Sequence, residues 1–507
     1  MSGKDRAGSA ARDTGILESF KLTDDTVVEF LTDVEGNWEY FMRFVSMSSV
    51  LHWEGEEQGA WGPGTLSMRE TGLFVFGGDA PDKGPGDIRF VKLLLSLKQR
   101  YPSRVHIVLG NRDINKIRFY AELAEGEDGS RFQPPWEPNA KPYKEYLEET
   151  KLPLGLPSTL RWMLDCNMGC QKTTFGTRKH ELALIHSKAS DEDVLRSFRD
   201  SVDPEGSDPW MLNLLRVGHL AIVIGDMLFV HAGVHEPALG MVPGEKTACG
   251  GLHEWVRKLN AWKDARLDDY AKRPLWRTEG GVRKRGGDEL IQYGTPGGGG
   301  CPTIVYHNPF SDGNPRAATP AVERFLADAG IRRVFSGHQP HGQCPTVVRH
   351  MDTGLLVFTC DTSYSDMKAE KLFNKANNRG SCVNIVRVQG SQTHVQGVLS
   401  CGTPHKYKLS CNPSEDELPY ALVGRQLTDG SWVKSVLENG SMCVARGKGF
   451  GVTVQKLHPG KVCLMLKDGY SNGDPRFAVQ AHTLQAEWLR RCHKTTEQHS
   501  HTTPTSV

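Results

Sequence analysis

Three times before residue 112, a short apolar run ends on an acidic or amide tip and gives way to an amphipathic stretch. Val27, Val28, Phe30 and Leu31 read as a buried strand ending at Asp33, and Trp38, Phe41, Met42, Val45 and Val50 share one face of a following helix. Leu73 to Phe76 ends at Gly77-Gly78-Asp79 before a helix over Ile88 to Leu97, and Val105 to Leu109 ends at Gly110-Asn111. Strand, polar tip and helix in repetition is an α/β pattern, and open α/β sheets carry their sites at the carboxyl ends of strands. The tips at Asp33, Asp79 and Asn111 are therefore where chemistry is expected.

The alternation is interrupted over about 124–218 by charged helical stretches and Pro-rich loops, read as an insertion or cap. Strands return at Leu220 to Ile224 and Met227 to Val230, the second ending at His231-Ala232-Gly233. A helix at Leu252 to Trp262, a Gly-rich connection at 294–300, a helix at Ala321 to Ala329 and a strand ending at Ser336-Gly337-His338 follow. Further strands are expected near 345–350, 355–360, 382–388 and 394–399. The division read from these patterns is a tail at 1–20, a main domain at 21–405, a linker at 406–417, a β module at 418–490 and a tail at 491–507. Hairpin signals at Asp429-Gly430, Asn439-Gly440, Pro459-Gly460 and Asp468-Gly469 define the β module, with Trp432 in its core.

Lys plus Arg number 61 and Asp plus Glu 60 in 507 residues, so no basic field points to nucleic acid or an acidic membrane. The longest apolar run, His219 to Val230, is broken by Gly225 and Asp226 and is too short to span a bilayer. The first fifteen residues lack the apolar middle of a secretory signal, and the 12 cysteines include no C-x-x-C pair. A cytoplasmic protein with reduced thiols is expected.

Gly78-Asp79-Ala80-Pro81-Asp82-Lys83-Gly84 spells G-D-x-x-D-x-G. With Asp33 on the preceding tip, Asn111 on the next, and His231 and His338 on two later ones, carboxylates, an amide and imidazoles converge on one sheet edge. A site for two divalent metal ions needs such a set. The order Asp33, Asp79, Asn111, His231, His338 resembles the calcineurin-like metallophosphoesterases, including Ser/Thr protein phosphatases and diadenosine tetraphosphatases. The resemblance covers about 26–405 and implies a four-layer α/β fold, a β-sandwich flanked by helices. It also implies that Asp79 bridges two ions, that Asn111, His231 and His338 complete one site, that Asp33 belongs to the other, and that a bridging hydroxide attacks phosphorus in line. The substrate would be a phosphorylated small molecule or a phosphoprotein, and the β module could take a protein partner.

Two positions depart from that pattern. The family's first motif is usually D-x-H, and here it is Asp33-Val34-Glu35. Residues two apart on a strand point the same way, so Glu35 is either a ligand or a solvated charge at the strand tip. As a ligand it gives an oxygen-rich shell suiting Mn²⁺, Mg²⁺ or Fe better than Zn²⁺. Where protein phosphatases have G-N-H-E, this chain has Gly110-Asn111-Arg112-Asp113. Arg112 cannot give a proton to a leaving group. It either holds phosphate oxygens or forms a structural pair with Asp82, and in the first case leaving groups that need no proton are favoured.

Lys83 stands where the phosphatases carry a phosphate-binding Arg, and Asp82 with Lys83 and Arg112 would orient the phosphoryl group. His341, in Ser336-Gly337-His338-Gln339-Pro340-His341-Gly342, would replace the missing histidine at the metal or line the cleft. Tyr364 is a cleft residue or part of a turn, and Arg178, in Arg178-Lys179-His180, reaches a phosphorylated substrate or lies on a solvated face. The alternative to an enzyme is a phosphatase fold kept as a phosphate- or partner-binding module, which the loss of a proton donor and the gain of Glu35 favour.

Overall fold

The computed structural model describes residues 14–17, 23, 25–55, 59–127, 140–170, 172–350, 353–362, 382–411, 420–448 and 451–466. Within them two six-stranded mixed sheets face each other. One orders its strands Ile16–Leu17, Ala221–Ile224, Met227–Val230, Arg333–Ser336, Leu356–Thr359, Thr346–Arg349, and the other Pro404–Ser410, Gln392–Val398, Val383–Gln389, Val27–Leu31, Gly72–Phe76, Val105–Ile107. The strands that carry the polar tips run parallel to their neighbours, Val27–Leu31 with Gly72–Phe76 and Met227–Val230 with Arg333–Ser336. Their carboxyl ends therefore meet at one rim of the sandwich.

Alternation along each strand sends one set of side chains between the sheets and the other outward. Phe30 from one sheet meets Phe229 and Phe335 from the other at ring-centroid distances of 5.6 and 5.9 Å, and Phe358 stacks on Phe335 at 4.9 Å. Outward residues such as Leu31, Phe74 and Phe76 pack under the helices Trp38–Met47 and Asp87–Arg100, where Phe90 touches Phe41 at 4.9 Å and Phe76 at 5.1 Å. On the other sheet, Val334 lies in the same cluster as Leu252 and Val256 of the helix Leu252–Lys272 and Val322 and Leu326 of Pro320–Asp328. The four-layer arrangement of helices, two sheets and helices is the one expected.

The first helix begins where Asn37 accepts a hydrogen bond from the Tyr40 N–H (2.9 Å). It stops at Met47 rather than reaching Val50, because Ser48 Oγ takes the N–H groups of Val50 and Leu51. The described helices of the insertion, Tyr143–Thr150, Leu156–Cys166, Thr174–His186, Asp191–Arg199 and Trp210–Val217, bury Leu160, Phe175, Leu182 and Phe198 in the same cluster as Phe41 and Phe90. They thicken one helical layer of the domain.

Several boundaries differ from the sequence reading. Ile16 and Leu17, expected in a tail, pair in parallel with Val223 and Ile224 at a sheet edge. Lys406 to Ser410, expected in a linker, belong to the edge strand Pro404–Ser410. Pro459-Gly460 opens the short helix Pro459–Leu464 instead of a hairpin, since proline at the first helical position loses no hydrogen bond. Asn439-Gly440 does turn the hairpin between Trp432–Val436 and Met442–Lys448, and Gly451–Leu457 completes a three-stranded antiparallel sheet. Its Val433, Met442 and Val444 share a buried cluster with Val347 and Tyr407 of the sandwich, and Trp432 is buried. Asp468-Gly469 lies outside the described residues, and no helix among them is long and apolar enough to cross a membrane.

Candidate metal centre

Past the end of Val27–Leu31 the chain leaves strand geometry: Asp33 has φ 51° and Glu35 φ 49°. The expectation that both point one way by strand alternation does not hold, because neither lies on the strand. Instead the two loops zip together, Asp33 N donating to Gly78 O (2.9 Å), Glu35 N to Asp79 O (3.0 Å) and Gly36 N to Ala80 O (2.7 Å). Asp79, Asp82 and His338 also have positive φ, so five of the eight such non-glycine residues among those described stand at this rim. Each left-handed residue costs on the order of 1 kcal/mol and is held there by its surroundings, a pattern typical of functional sites.

Asp79, His231 and His338 each offer an atom within 4.8 Å of the others, and all three are buried. The His231 Nδ1–H donates to Gly77 O (2.9 Å), which leaves Nε2 facing Asp79 Oδ1 at 3.3 Å and Asn111 Oδ1 at 3.2 Å. His338 Nε2 is buried without a hydrogen-bond partner, and its ring packs edge-on to Tyr306 at 4.7 Å. Burial pushes the Asp79 carboxyl up, but His231 and then Arg112 outweigh it and hold the group well below the usual carboxylate range. Burial works against a charged His231, yet Asp79 raises its pKa to about 10, whereas burial and then His231 hold His338 down at about 3.

These residues fit a divalent cation. The orphaned His338 nitrogen, an imidazole with its tautomer set by a backbone carbonyl, a carboxylate and an amide oxygen form a mixed N/O donor set. Two glycines keep room for them. A Cβ on Gly110 would stand 2.1 Å from Asp79 Oδ1, and one on Gly78 would stand 2.8 Å from His231 Nδ1.

Asp33, Glu35 and the nearby cations make other bonds. Both Asp33 oxygens accept from the His338 N–H (3.1 and 3.0 Å), Oδ2 also from Thr32 Oγ1 (2.6 Å), and burial with Asp361 beside it pushes the Asp33 pKa up. Glu35 is 4% exposed, so it is not a solvated tip. Its Oε2 meets Lys83 Nζ at 2.7 Å and its Oε1 meets Arg112 Nε at 2.9 Å. Arg112 Nε also lies 3.4 Å from Asp79 Oδ2, and its Nη1 lies 3.7 Å from Asp82. Asp82 has a closer partner in Lys116 (2.5 Å).

Sequence reasoning assigned no role to Lys116 or Asp113. Asp113 accepts backbone N–H bonds from Asp79 (2.9 Å), Ala80 (2.9 Å) and Gly110 (2.8 Å), which fixes the Asp79 turn against the Asn111 turn. An acidic residue three positions after Gly110, at the start of a helix, is the signal that could have found it.

Arg178 is corrected. It is buried, pairs with Asp87 at 2.8 Å and stacks on Phe198 at 3.8 Å, because a guanidinium in this helical layer finds its counter-charge inside rather than in a cleft. His341 lies outside the three-residue cluster, with Nδ1 3.2 Å from Lys434 Nζ. Tyr364 lies outside the described residues.

Residues 30–198 match the calcineurin-like phosphoesterase family. The matched segment holds Asp33, Glu35, Asp79, Asp82, Lys83, Asn111 and Arg112, and the fold brings His231 and His338 to it from beyond. This phosphoesterase family uses divalent metals, and the chain carries a candidate cluster for one. A cold-active protein-tyrosine phosphatase of a psychrophilic Shewanella species is similar in structure at 14% identity and TM-score 0.36, over 75% of this chain and 80% of that one. A protein serine/threonine phosphatase from Saccharomyces cerevisiae is similar at 13% identity and TM-score 0.33, over 74% and 76%. No curated protein matches the chain significantly.

Proposed function

We propose that the chain is a metal-dependent phosphoesterase that hydrolyses a phosphate monoester or phosphoanhydride of a small molecule or a phosphoprotein. The observation that carries the reading is the buried, unpartnered His338 Nε2 beside Asp79 and His231. Asp79, Asn111, His231 and His338 would hold a divalent ion, and two oxygens with two imidazoles suit Fe²⁺, Zn²⁺ or Mn²⁺. Such an ion supplies an acidified water and charge for phosphoryl oxygens. The chain's own residues do the rest. Gly77 O keeps the His231 Nε2 turned inward, and Asp33, through the His338 N–H, orients the turn that carries the second imidazole. Arg112 places fixed positive charge beside Asp79 and Asp82, and Lys83 beside Glu35, for transition-state oxygens. The carboxylates around Arg112 push its pKa up against burial, so it gives no proton to a leaving group. Anhydrides and aryl phosphates, whose leaving groups need none, are the preferred substrates. A cytoplasmic location belongs to the same proposal.

One observation favours a second reading, a phosphate- or partner-binding module: Lys83 and Arg112 both spend bonds on Glu35. Phosphate release by metal-stripped protein given back Mn²⁺, Mg²⁺, Fe²⁺ or Zn²⁺ separates the two. Metal-dependent turnover of an aryl phosphate, phosphopeptide or dinucleoside polyphosphate that Asp79→Asn abolishes supports the enzyme, and metal uptake without turnover supports the module.

A further inference from the structure

We propose that this centre takes one divalent ion, and that the Arg112 guanidinium occupies the place where a two-metal phosphoesterase would hold its second. The proposal rests on the metal-dependent reading above and concerns the number of ions. A carboxylate that bridges two ions presents one oxygen to each. Here the two oxygens of Asp79 already face different partners: Oδ1 lies 3.3 Å from His231 Nε2, on the side of the ligand cluster, and Oδ2 lies 3.4 Å from Arg112 Nε. The Arg112 backbone N–H donates to Asp79 Oδ1 as well, at 2.9 Å, so main chain and side chain both tie this residue to Asp79.

The other ligands of a second ion are engaged in the same way. Glu35 Oε1 meets Arg112 Nε at 2.9 Å and its Oε2 meets Lys83 at 2.7 Å. Asp33 gives both oxygens to the His338 N–H. Arg112 Nη1 is anchored on Gly169 O at 2.9 Å, a contact from the insertion that fixes the guanidinium from its far end.

Charge points the same way. Glu35, Asp79 and Asp82 are matched by Lys83, Arg112 and Lys116 before any ion enters. A second dication would join cations within a few ångströms, in surroundings where burial leaves little water to screen them. A guanidinium can supply fixed charge and directed N–H donors to a phosphoryl group, but it has no vacant coordination position for a water. Arg112 therefore replaces the charge of a second ion and not its acidifying effect.

Metal content of the full chain decides this. Stripped protein is reloaded with excess Mn²⁺, dialysed and measured by plasma mass spectrometry, with electron paramagnetic resonance on the same sample. One equivalent and the spectrum of isolated Mn²⁺ are expected. Two equivalents with a spin-coupled pair would overturn the proposal and leave the phosphoesterase reading standing, whereas no bound metal would overturn both. Arg112→Ala, and Glu35→His with Arg112→His, are each expected to raise the content to two. If a variant that keeps the native circular dichroism stays at one equivalent, Arg112 is not what excludes the second ion. The wild-type measurement stands whether or not either variant folds.

Discussion

Gly110→Ala tests the geometry of the centre with a single methyl group. Gly110 has φ −95° and ψ 173°, a backbone any residue adopts, so the substitution adds bulk without backbone strain. The new Cβ would stand 2.1 Å from Asp79 Oδ1 and 2.8 Å from His231 Cε1, against the 3.4 Å or more of an ordinary contact. The two ligands must open by about an ångström. Overpacking of this kind costs about 1–3 kcal/mol. Loss of the charge-assisted bond from Arg112 N to Asp79 Oδ1 (2.9 Å) adds about 1.5–3 kcal/mol, for a total of about 2.5–6 kcal/mol. The melting temperature of the metal-free protein should fall by about 2–6 °C, the unfolding entropy of a chain this long being about 1 kcal/mol per degree. Because the displaced groups are the ligands themselves, Mn²⁺ affinity by titration calorimetry should fall by about 100-fold, the upper end for residues that only support ligands. Gly176→Ala is the control: nothing lies within 4 Å of its Cβ, it sits in the helix Thr174–His186, and a gain of about 0.5–1 kcal/mol is expected. A folded Gly110→Ala protein that binds Mn²⁺ within threefold of wild type would refute the placement of Asp79 and His231 as ligands.

Other outcomes follow from buried charges. Arg178→Met leaves Asp87 buried without its 2.8 Å partner and should cost about 3–5 kcal/mol by urea unfolding, while retaining metal stoichiometry in the protein that remains folded. Lys434 is fully buried and donates to His341 O (2.5 Å), and burial pulls its pKa from 10.5 down to about 7. Since the folded state holds this proton less tightly than the unfolded chain, the Lys434 contribution to stability rises with pH between 7 and 10.5, by at most about 1.4 kcal/mol per pH unit. Unfolding free energies of wild type and Lys434→Met should diverge over that window, and parallel curves would contradict the burial of the amine. Leaving-group dependence is the last: kcat/KM on aryl phosphates and anhydrides should exceed that on alkyl phosphates, and rates insensitive to leaving-group pKa would show that a proton donor exists.

Much of the centre could be read from residue order alone. Asp79, Asn111, His231 and His338 each follow an apolar run directly or within two residues, and parallel strands must bring such tips to one edge. Glu35 was legible as a residue but not in its role, because the sequence shows a spacing of two and not the positive φ that takes Asp33 and Glu35 off the strand. Its two cations, Lys83 and Arg112, come from different loops, and nothing local marks them as its partners. Arg178 shows the same limit from the other side. A charged residue on a helix has the same local pattern whether its counter-ion is water or Asp87, 91 positions away. Ile16–Leu17 is too short to show a period, and Leu51–Glu54 pairs with Thr65–Met68 across a connection too long for a hairpin signal. Proline followed by glycine marks a turn and equally a helix start, and at Pro459 packing of Val462 against the sandwich core decides for the helix.

Asp79, His231 and His338 are proposed to hold a divalent ion. Crystals of the full chain soaked in Mn²⁺ and measured at the manganese absorption edge test it most directly. An anomalous peak within coordination distance of Asp79, His231 Nε2 and His338 Nε2 is expected. A peak bound elsewhere, or none at a concentration that supports phosphate release, would contradict it.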